Sequence, residues 1–265
     1  MIERRIAGLP LEHVVGWAEF CGLRIGVATG VFVPRRRTEF LVRQAELLLS
    51  GAHDGGAHDG GTSDGGGSPD SGAHDGGTSD GGRRAAVVDL CCGSGAVGAA
   101  LAARVAGIEL HASDLDPAAV RCARRNLEPA GGRVHEGNLF EPLPAGLRGR
   151  VRVLVANAPY VPTAAIGTMP PEARTHEPRM SLDGGPDGLD VQRRVIAGAP
   201  DWLAPGGHVL IETSRGQARE TIGLMRQAGL TARLVNDPEL DATVAIGTGT
   251  MGTVAGGTAG FGSTG

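Results

Sequence analysis

Lysine is absent from this chain of 265 residues, and aromatic residues make up only 3% of it, with a single tyrosine. All 25 basic residues are therefore arginine, and the formal net charge is −4. A slightly acidic chain has no electrostatic basis for binding a nucleic-acid duplex. No signal peptide and no apolar run long enough to cross a membrane is recognisable. Without its low-complexity parts, the length fits one domain with a buried parallel sheet.

Cysteine is scarce as well. The four thiols lack the paired spacing of metal sites, and the two adjacent ones cannot readily close a disulfide on each other. We therefore predict no metal site, and small buried side chains in a reducing cytoplasm: Cys21, Cys91, Cys92 and Cys122.

Residues 51–82 are a degenerate repeat of Gly-Ala-His-Asp-Gly and Gly-Thr-Ser-Asp-Gly units. With no large apolar side chain the repeat cannot bury a core, so it is predicted to be disordered. His53, His58 and His74 each precede an aspartate, which also suggests a metal ion. The metal interpretation is weaker, because an unordered site must also bear the entropy of ordering. Residues 248–265, rich in Gly and Thr, are predicted to be a flexible tail.

Hydrophobic periodicity predicts strands that alternate with helices, which is typical of an α/β fold. A β-hairpin is expected over residues 23–33, and Thr38 is expected to cap an amphipathic helix that ends at residue 49. The other predicted strands are residues 85–90, 108–113, 134–135, 151–156, 207–213, 230–235 and 242–247, and the other helices are residues 96–104, 190–203, 217–228 and one that begins at Asp116-Pro117.

A glycine loop, Asp89-Leu-Cys-Cys-Gly-Ser-Gly95, joins a predicted strand to a helix of small residues. Glycines let the backbone approach a nucleotide closely, and a helix N-terminus offers unpaired N–H groups. The next strand ends in Asp114, at the spacing where an acid can bind ribose hydroxyls. Cys91 replaces the first glycine of a dinucleotide fingerprint, and no Lys-Ser/Thr pair follows. The loop therefore fits S-adenosyl-L-methionine (SAM), which has no phosphate.

An apolar run over residues 153–156 ends in Asn157-Ala-Pro-Tyr160. In open α/β sheets the working site lies beyond the carboxyl ends of the strands. There the Asn157 side-chain oxygen and the carbonyl of residue 158 can both accept hydrogen bonds from one planar NH₂ group, while Tyr160 lies against its flat face. This arrangement presents an amide or an exocyclic amine to an electrophile, although the same tetrapeptide also makes an ordinary turn.

Taken in order, these motifs resemble the N5-glutamine methyltransferases that modify release factors and a ribosomal protein. The resemblance extends from about residue 10 to residue 247. It rests on residues 10–16 with Phe20, residues 33–39 (similar to Pro-Arg-Pro-x-Thr-Glu, with Arg36 replacing the second proline), Asp89 to Gly95, Asp114, Asn138-Leu139-Phe140, Asn157 to Tyr160 (similar to Asn-Pro-Pro-Tyr), Glu177-Pro178, residues 182–189 and residues 205–212.

The resemblance implies a Rossmann-like, class I SAM-dependent methyltransferase with a mostly parallel seven-stranded sheet. Residues 1–50 would form an N-terminal segment with a β-hairpin and a helix, and residues 83–247 the catalytic domain. The residues implied to bind the cofactor are Asp89, Cys91, Cys92, Gly93, Ser94, Gly95, Asp114, Asn138, Leu139 and Asn157. The residues implied to be catalytic are Asn157, Ala158, Pro159 and Tyr160, and these four with Glu177 are implied to bind the substrate.

The implied reaction is one in-line displacement, in which SAM methylates a glutamine side-chain amide of a protein. No metal or general base is required before the methyl group is transferred. The resemblance implies a translation factor or ribosomal protein with an exposed glutamine as the partner. The enzyme is expected to be a cytoplasmic monomer that binds neither membrane nor nucleic acid.

Two features depart from the family. Almost nothing precedes Pro10, where the release-factor enzymes carry a helical recognition domain, so a paralogue without that domain is expected. Ala158 replaces a proline, which frees one φ angle but keeps the carbonyl. Three alternatives stay open: a small-molecule N-methyltransferase, an adenine-N6 methyltransferase, and a paralogue that binds the cofactor without turnover.

The roles of two charged features also stay open. The run Arg35-Arg36-Arg37 is either a solvated corner or a contact for an acidic partner or the cofactor carboxylate. Glu212, at the end of a predicted strand, either supports the site or contacts the substrate.

Overall fold

The computed structural model describes residues 2–6, 8–51 and 83–250. The predicted disordered repeat, residues 51–82, lies outside these ranges except for Gly51. The predicted flexible tail, residues 248–265, lies outside them except for residues 248–250, and its bound is wrong at Thr248, which ends a strand. Within the ranges, no helix combines the length and the apolar character that crossing a bilayer requires.

The N-terminal segment contains helices α1 (Ile2–Ile6) and α2 (Leu11–Val15), a hairpin of strands β1 (Trp17–Phe20) and β2 (Leu23–Gly26), and helix α3 (Glu39–Leu49). The prediction of a hairpin over residues 23–33 is wrong in position, because the turn is Cys21-Gly22. Both turn residues have positive φ, 53° and 77°, as in the tightest hairpin turns. Gly22 is a typical turn residue but Cys21 is not, so the sequence marks this turn by one residue alone.

Seven strands form the central sheet: β3 (Ala86–Leu90), β4 (Glu109–Asp114), β5 (Arg133–Glu136), β6 (Val151–Ala156), β7 (Leu203–Glu212), β8 (Thr231–Asp237) and β9 (Ala242–Thr248). Their order across the sheet is β5-β4-β3-β6-β7-β9-β8. The strands from β5 to β7 are parallel, whereas β9 is antiparallel to both of its neighbours. The mostly parallel seven-stranded α/β fold is therefore confirmed.

The remaining helices are α4 (Ala96–Arg104), α5 (Pro117–Leu127), α6 (Pro171–His176), α7 (Asp190–Trp202) and α8 (Ala218–Gln227). Helices α3, α4 and α5 pack on one face of the sheet, and α7 and α8 pack on the other. Successive β3 residues alternate between the two cores, with Val87 in the first and Val88 in the second. Asp116 caps α5 as predicted, since its carboxylate accepts a hydrogen bond from the Ala118 N–H at 2.8 Å.

Thr38 does not cap a helix, so that prediction is wrong. Helix α3 begins at Glu39, and Thr38 belongs to a preceding 3-10 turn, Arg36–Thr38, with no capping hydrogen bond from its side chain. Its φ and ψ of −67° and −15° are already helical, whereas a capping side chain needs an extended backbone. Its hydroxyl is therefore free to bond elsewhere in the molecule.

The strand order reverses between β3 and β6, where Leu90 lies beside Ala156. At such a switch point the connections leave in opposite directions, which opens a crevice at the carboxyl ends of the two strands. The glycine loop follows β3 and the tetrapeptide Asn157 to Tyr160 follows β6. The fold therefore brings the two predicted motifs to one place.

Candidate active site

A cavity of about 220 Å³ opens at the carboxyl ends of β3 and β6. Every residue predicted for the site lines the cavity except Gly95 and Glu177. Side chains that the sequence analysis did not single out line it too: Phe32, Ser113, Met169 and Met180. Neither a motif nor a periodicity marks these four, because they come together only through folding.

Asp114 ties the glycine loop to the end of β4. Its Oδ2 accepts a hydrogen bond from the Gly93 N–H at 2.8 Å, and its Oδ1 accepts one from the Asp116 N–H at 2.9 Å. Burial raises the pKa of the Asp114 carboxyl, while these backbone N–H groups act in the opposite direction. Each oxygen keeps lone pairs for a further donor, so Asp114 can bind ribose hydroxyls while it holds the loop.

The two glycines of the loop have different roles. Both have positive φ, 54° at Gly93 and 78° at Gly95. A Cβ at Gly93 would meet nothing within 4 Å, whereas a Cβ at Gly95 would lie 3.1 Å from Ala123 and 3.2 Å from Leu127 in α5. Gly95 therefore permits close helix packing and lies outside the cavity lining, so its predicted contact with the cofactor stays a prediction.

Cys91 and Cys92 line the cavity as free thiols. The prediction of buried thiols holds for Cys92 and Cys122 but is wrong for Cys91 and Cys21, which are partly exposed at the cavity and in the hairpin turn. Cys91 has an unusual positive φ of 55°, and burial raises the pKa of both thiols well above the ordinary range. Both therefore remain protonated and contribute shape and not nucleophilicity. Ser94, which follows in the loop, is buried and lines the cavity as well.

Asp89 is a buried acid at the end of β3. Its side chain is 2% exposed, and Oδ2 accepts a hydrogen bond from the Gly98 N–H at 3.0 Å. Burial raises its pKa to about 7; the Gly98 N–H opposes this shift and the charge of Asp114 adds to it. A cation bound in the cavity would therefore gain from an uncompensated carboxylate at this position.

Asp89→Asn should stabilise the protein more at high pH than at low pH. The folded state has the raised pKa, so it binds the extra proton between about pH 4 and pH 7, and its stability falls as pH rises through this window. Asparagine does not titrate and can still accept from Gly98. Thermal unfolding should show the variant's gain in Tm growing from about pH 5 to pH 8. Asp187→Asn is the control, because the Arg193 hydrogen bond lowers the pKa of that exposed acid to about 2. An equal gain for Asp89→Asn at both pH values would contradict this account.

Hydrogen bonds to neighbouring residues fix the conformation of the segment Asn138-Leu139. Ser113 Oγ donates a hydrogen bond to the Leu139 carbonyl at 2.7 Å, and Leu139 itself has φ of 50°. Asn138 Nδ2 donates to Glu141 Oε1 at 2.9 Å. Ser113 is thus a supporting residue that the sequence analysis missed.

Asn157 and Ala158 offer two oxygen acceptors in the cavity. Asn157 Nδ2 donates to Thr38 Oγ1 at 3.1 Å, which leaves Oδ1 as the unused atom of the amide. Among the described residues, none donates a hydrogen bond to Asn157 Oδ1 or to the Ala158 carbonyl. Both oxygens expected as acceptors are therefore unused within the described ranges, and their binding of one NH₂ group stays a prediction.

Tyr160 is held by charged groups from other elements. Its hydroxyl donates to Glu212 Oε1 at 3.4 Å, and Arg37 Nε donates to the same oxygen at 3.1 Å. Burial, with the Glu212 charge, raises the Tyr160 pKa to about 12, so the ring stays neutral. Glu212 is 1% exposed and does not line the cavity, which favours the supporting role.

Arg35 is paired in the same way with Glu177. Arg35 Nη2 donates to the two carboxylate oxygens at 2.7 and 2.6 Å, and the Val33 N–H donates to Oε1 at 3.3 Å. Arg35 lines the cavity and lies over the Phe32 ring at 4.8 Å. Glu177 is buried outside the lining and so supports Arg35; its direct contact with a substrate stays a prediction.

The loop over residues 182–189 packs against the end of the tetrapeptide. Asp183 forms a parallel bridge with Val161. Gln217 Nε2 donates both to the Tyr160 carbonyl at 3.0 Å and to the Asp187 carbonyl at 2.9 Å. Gly188, at φ 79°, lies so close to the Tyr160 carbonyl that no side chain fits between them. This loop therefore fixes the position of Tyr160.

The cavity thus combines a glycine loop, an acid after the second parallel strand and a pair of amide acceptors. In the described part of the chain, no group of three His, Cys, Asp or Glu side chains is placed to hold a metal ion. Strand order and site together define a class I SAM-dependent methyltransferase.

Comparisons with known proteins identify the family. Residues 79–169 match the family model of the methyltransferase small domain. A release factor glutamine methyltransferase from Geobacter sulfurreducens is 35% identical over 231 residues, which cover 86% of this chain and 69% of that protein. The chain belongs to the release factor glutamine methyltransferase family. The predicted family, its reaction, the fold class, the enzyme class and the methyl donor are confirmed.

Two further proteins are similar to this chain, one in sequence and one in fold. A 4-amino-L-phenylalanine/4-methylamino-L-phenylalanine methyltransferase from Streptomyces pristinaespiralis is 32% identical over 228 residues, which cover 86% of this chain and 69% of that protein. The solved ribosomal protein L11 methylase from Lactobacillus delbrueckii subsp. bulgaricus has a TM-score of 0.51 at 11% identity, covering 84% of each chain. The latter supports the fold alone.

Proposed function

We propose that this enzyme transfers a methyl group from SAM to the side-chain amide nitrogen of a glutamine in a translation factor. The observation that carries the proposal is the pair of uncommitted acceptors, Asn157 Oδ1 and the Ala158 carbonyl, at the carboxyl end of β6. A primary amide has two N–H bonds in one plane, which match two acceptors on adjacent residues. The relative from G. sulfurreducens, by its name a release factor glutamine methyltransferase, supports the choice of substrate.

The acceptor oxygens have a chemical role besides binding. An amide nitrogen is a poor nucleophile because its lone pair is delocalised into the carbonyl. Oxygens that draw on its N–H bonds raise the electron density on nitrogen, and their hold strengthens as the nitrogen gains positive charge. After the transfer, the surplus proton is on the nitrogen, whose N–H group is hydrogen-bonded to Asn157 Oδ1. The proton can pass from there to water. Tyr160 holds the amide plane by contact with its face.

The other half of the cavity fits SAM, which when bound supplies an electrophilic methyl group. The open space beside Gly93 admits a ligand close to the backbone, since no atom lies within 4 Å of a Cβ placed there. Asp114 would hold the ribose hydroxyls, and Asp89 would offset the positive charge of the ligand. Asn138 and Leu139 would lie along the adenine.

Asp114→Ala should weaken SAM binding by about 1–3 kcal/mol, because charge-assisted hydrogen bonds to the ribose are lost. The Gly93 and Asp116 N–H groups lose their acceptor as well, so the loop itself loosens. Calorimetric titration with SAM and S-adenosylhomocysteine measures the effect. Asp237→Ala, at the end of β8 and outside the cavity lining, should leave the affinity unchanged. Equal affinity of Asp114→Ala and the parent would remove Asp114 from the cofactor site.

A small aromatic amine is the second candidate substrate. The relative from S. pristinaespiralis is, by its name, an enzyme for 4-amino-L-phenylalanine, and the acceptor pair would suit an aryl NH₂ group as well. Arg35 and Arg37 at the cavity could then bind a carboxylate. Both arginines are already paired with buried carboxylates, however, so they add little net positive charge.

Incubation of the pure enzyme with methyl-labelled SAM and a cell lysate separates these functions. Label in one protein band supports the proposal, whereas label in the small-molecule fraction supports the aromatic amine. Label in nucleic acid would support an adenine-N6 enzyme. If the protein binds SAM but no fraction is labelled, the result would support a paralogue that has lost turnover. The proposal further assigns the enzyme to the cytoplasm, as a monomer that acts on the translation factor without binding nucleic acid. The net charge of −4 agrees with the last of these points.

A further inference from the structure

Within residues 2–6, 8–51 and 83–250, the side-chain amide of Asn157 has one polar partner, which comes from the N-terminal segment. Asn157 Nδ2 donates to Thr38 Oγ1 at 3.1 Å. Thr38 is 2% exposed and lies in the 3-10 turn before α3, far from Asn157 in the sequence. The contact therefore forms only when this turn packs against the end of β6.

The orientation of this amide decides what the site can bind. With Nδ2 toward Thr38, Oδ1 is the atom left to accept a hydrogen bond from the substrate. With the amide rotated by 180°, its NH₂ group would be opposed to the NH₂ group of the substrate, and two donors cannot bond to each other. An amide free to rotate would thus lose one of the two acceptors for part of the time.

The turn that carries Thr38 is itself held in place. The Thr38 N–H donates to the Arg35 carbonyl at 3.0 Å, which closes the turn. The guanidinium groups of Arg35 and Arg37 pair with the buried carboxylates of Glu177 and Glu212, at 2.6 and 3.1 Å. With anchors on both sides, the Thr38 hydroxyl has a fixed position from which it can hold the plane of the Asn157 amide. Because a hydroxyl both donates and accepts, it fixes this plane, and the substrate NH₂ group then favours the orientation in which Oδ1 faces the cavity.

We infer that Thr38 is a positioning residue of the acceptor site, which holds the plane of the Asn157 amide so that Oδ1 can accept a hydrogen bond from the substrate NH₂ group. This inference rests on the proposed function. Thr38 does not touch the reacting atoms in this scheme; it acts through Asn157 alone. Loss of its hydroxyl should therefore reduce kcat, with little change in KM or in the affinity for SAM.

Thr38→Val removes the hydroxyl at nearly constant volume, and Thr38→Ser keeps it. We expect kcat for glutamine methylation to fall on the order of tenfold in Thr38→Val, as for the loss of one orienting hydrogen bond, and to recover in Thr38→Ser to within about threefold of the parent. The matched control is Thr243→Val, which removes a buried threonine hydroxyl that donates to the side chain of another asparagine, the exposed Asn236, away from the cavity lining. A similar fall in kcat in all three variants, or in none of them, would overturn the inference.

Side-chain amide NMR provides a readout that does not depend on turnover. The Asn157 NH₂ signals should show one bonded, slowly exchanging proton in the parent and in Thr38→Ser, and lose that protection in Thr38→Val. Unchanged protection in Thr38→Val would overturn the inference even if activity falls. If the parent methylates no glutamine, the proposed function is wrong, and the amide signals alone still decide whether Thr38 orients Asn157.

Discussion

Replacement of Asn157 by alanine should reduce turnover on the order of a hundredfold or more, by analogy with the loss of one preorganised hydrogen bond at a reacting centre. The change removes one of the two acceptors and leaves the glycine loop intact. SAM affinity should therefore change much less than kcat. Single-turnover methylation and calorimetric titration measure the two effects separately.

Ala158→Pro is the control in the same tetrapeptide, because it keeps both acceptor oxygens. Proline fixes φ near the value of an extended backbone and leaves the 158 carbonyl in place, so activity should be equal or slightly higher. If Asn157→Ala methylates a glutamine substrate as fast as the parent, the tetrapeptide is only a turn after β6.

Gly188→Ala should reduce kcat/KM about tenfold or more, although residue 188 does not line the cavity. A Cβ at this position would collide with the Tyr160 carbonyl and with Gln217 Nε2. The hydrogen bond between Gln217 and Tyr160, 3.0 Å long, would break, and Tyr160 would shift. Because the contacts that would be lost involve Tyr160 and Gln217 and not the glycine loop, SAM affinity should be retained.

Gly107→Ala controls for backbone strain in this experiment. Gly107 has a similar φ of 73°, but a Cβ there would meet nothing within 4 Å. Both variants bear the cost of a left-handed residue, about 1–2 kcal/mol, and both should lower the Tm. Only Gly188→Ala should also lower kcat/KM. An equal loss of activity in the two variants would show that strain alone explains the effect.

The centre of the site could be predicted from the sequence because its motifs are continuous. The glycine loop and the tetrapeptide each lie on one strand end, and the carboxyl ends of parallel strands meet at the same edge of a sheet. Asp114 was predicted in the same way, as the end of the next strand. For such residues, the local sequence pattern and the sheet topology together are sufficient to predict that they lie in the site.

The supporting residues could not be predicted in this way, because their partners are distant in the sequence. Thr38 has the residue type and position of a helix cap, and only the packed turn shows that its hydroxyl bonds to Asn157. Glu177 and Glu212 resemble site acids, yet both are buried as partners of arginines. Likewise Gly95 looked like a cofactor glycine, whereas its neighbours in α5 show a packing role.

The most direct test of the central claim is to locate the transferred methyl group. A purified release factor is incubated with SAM and the enzyme, and its peptides are sequenced by tandem mass spectrometry. The account predicts one methyl group on a glutamine side-chain nitrogen, present with the parent and with Ala158→Pro and nearly absent with Asn157→Ala. A methyl group on another residue type, or an unmodified release factor with an enzyme that binds SAM and methylates small amines, would contradict it.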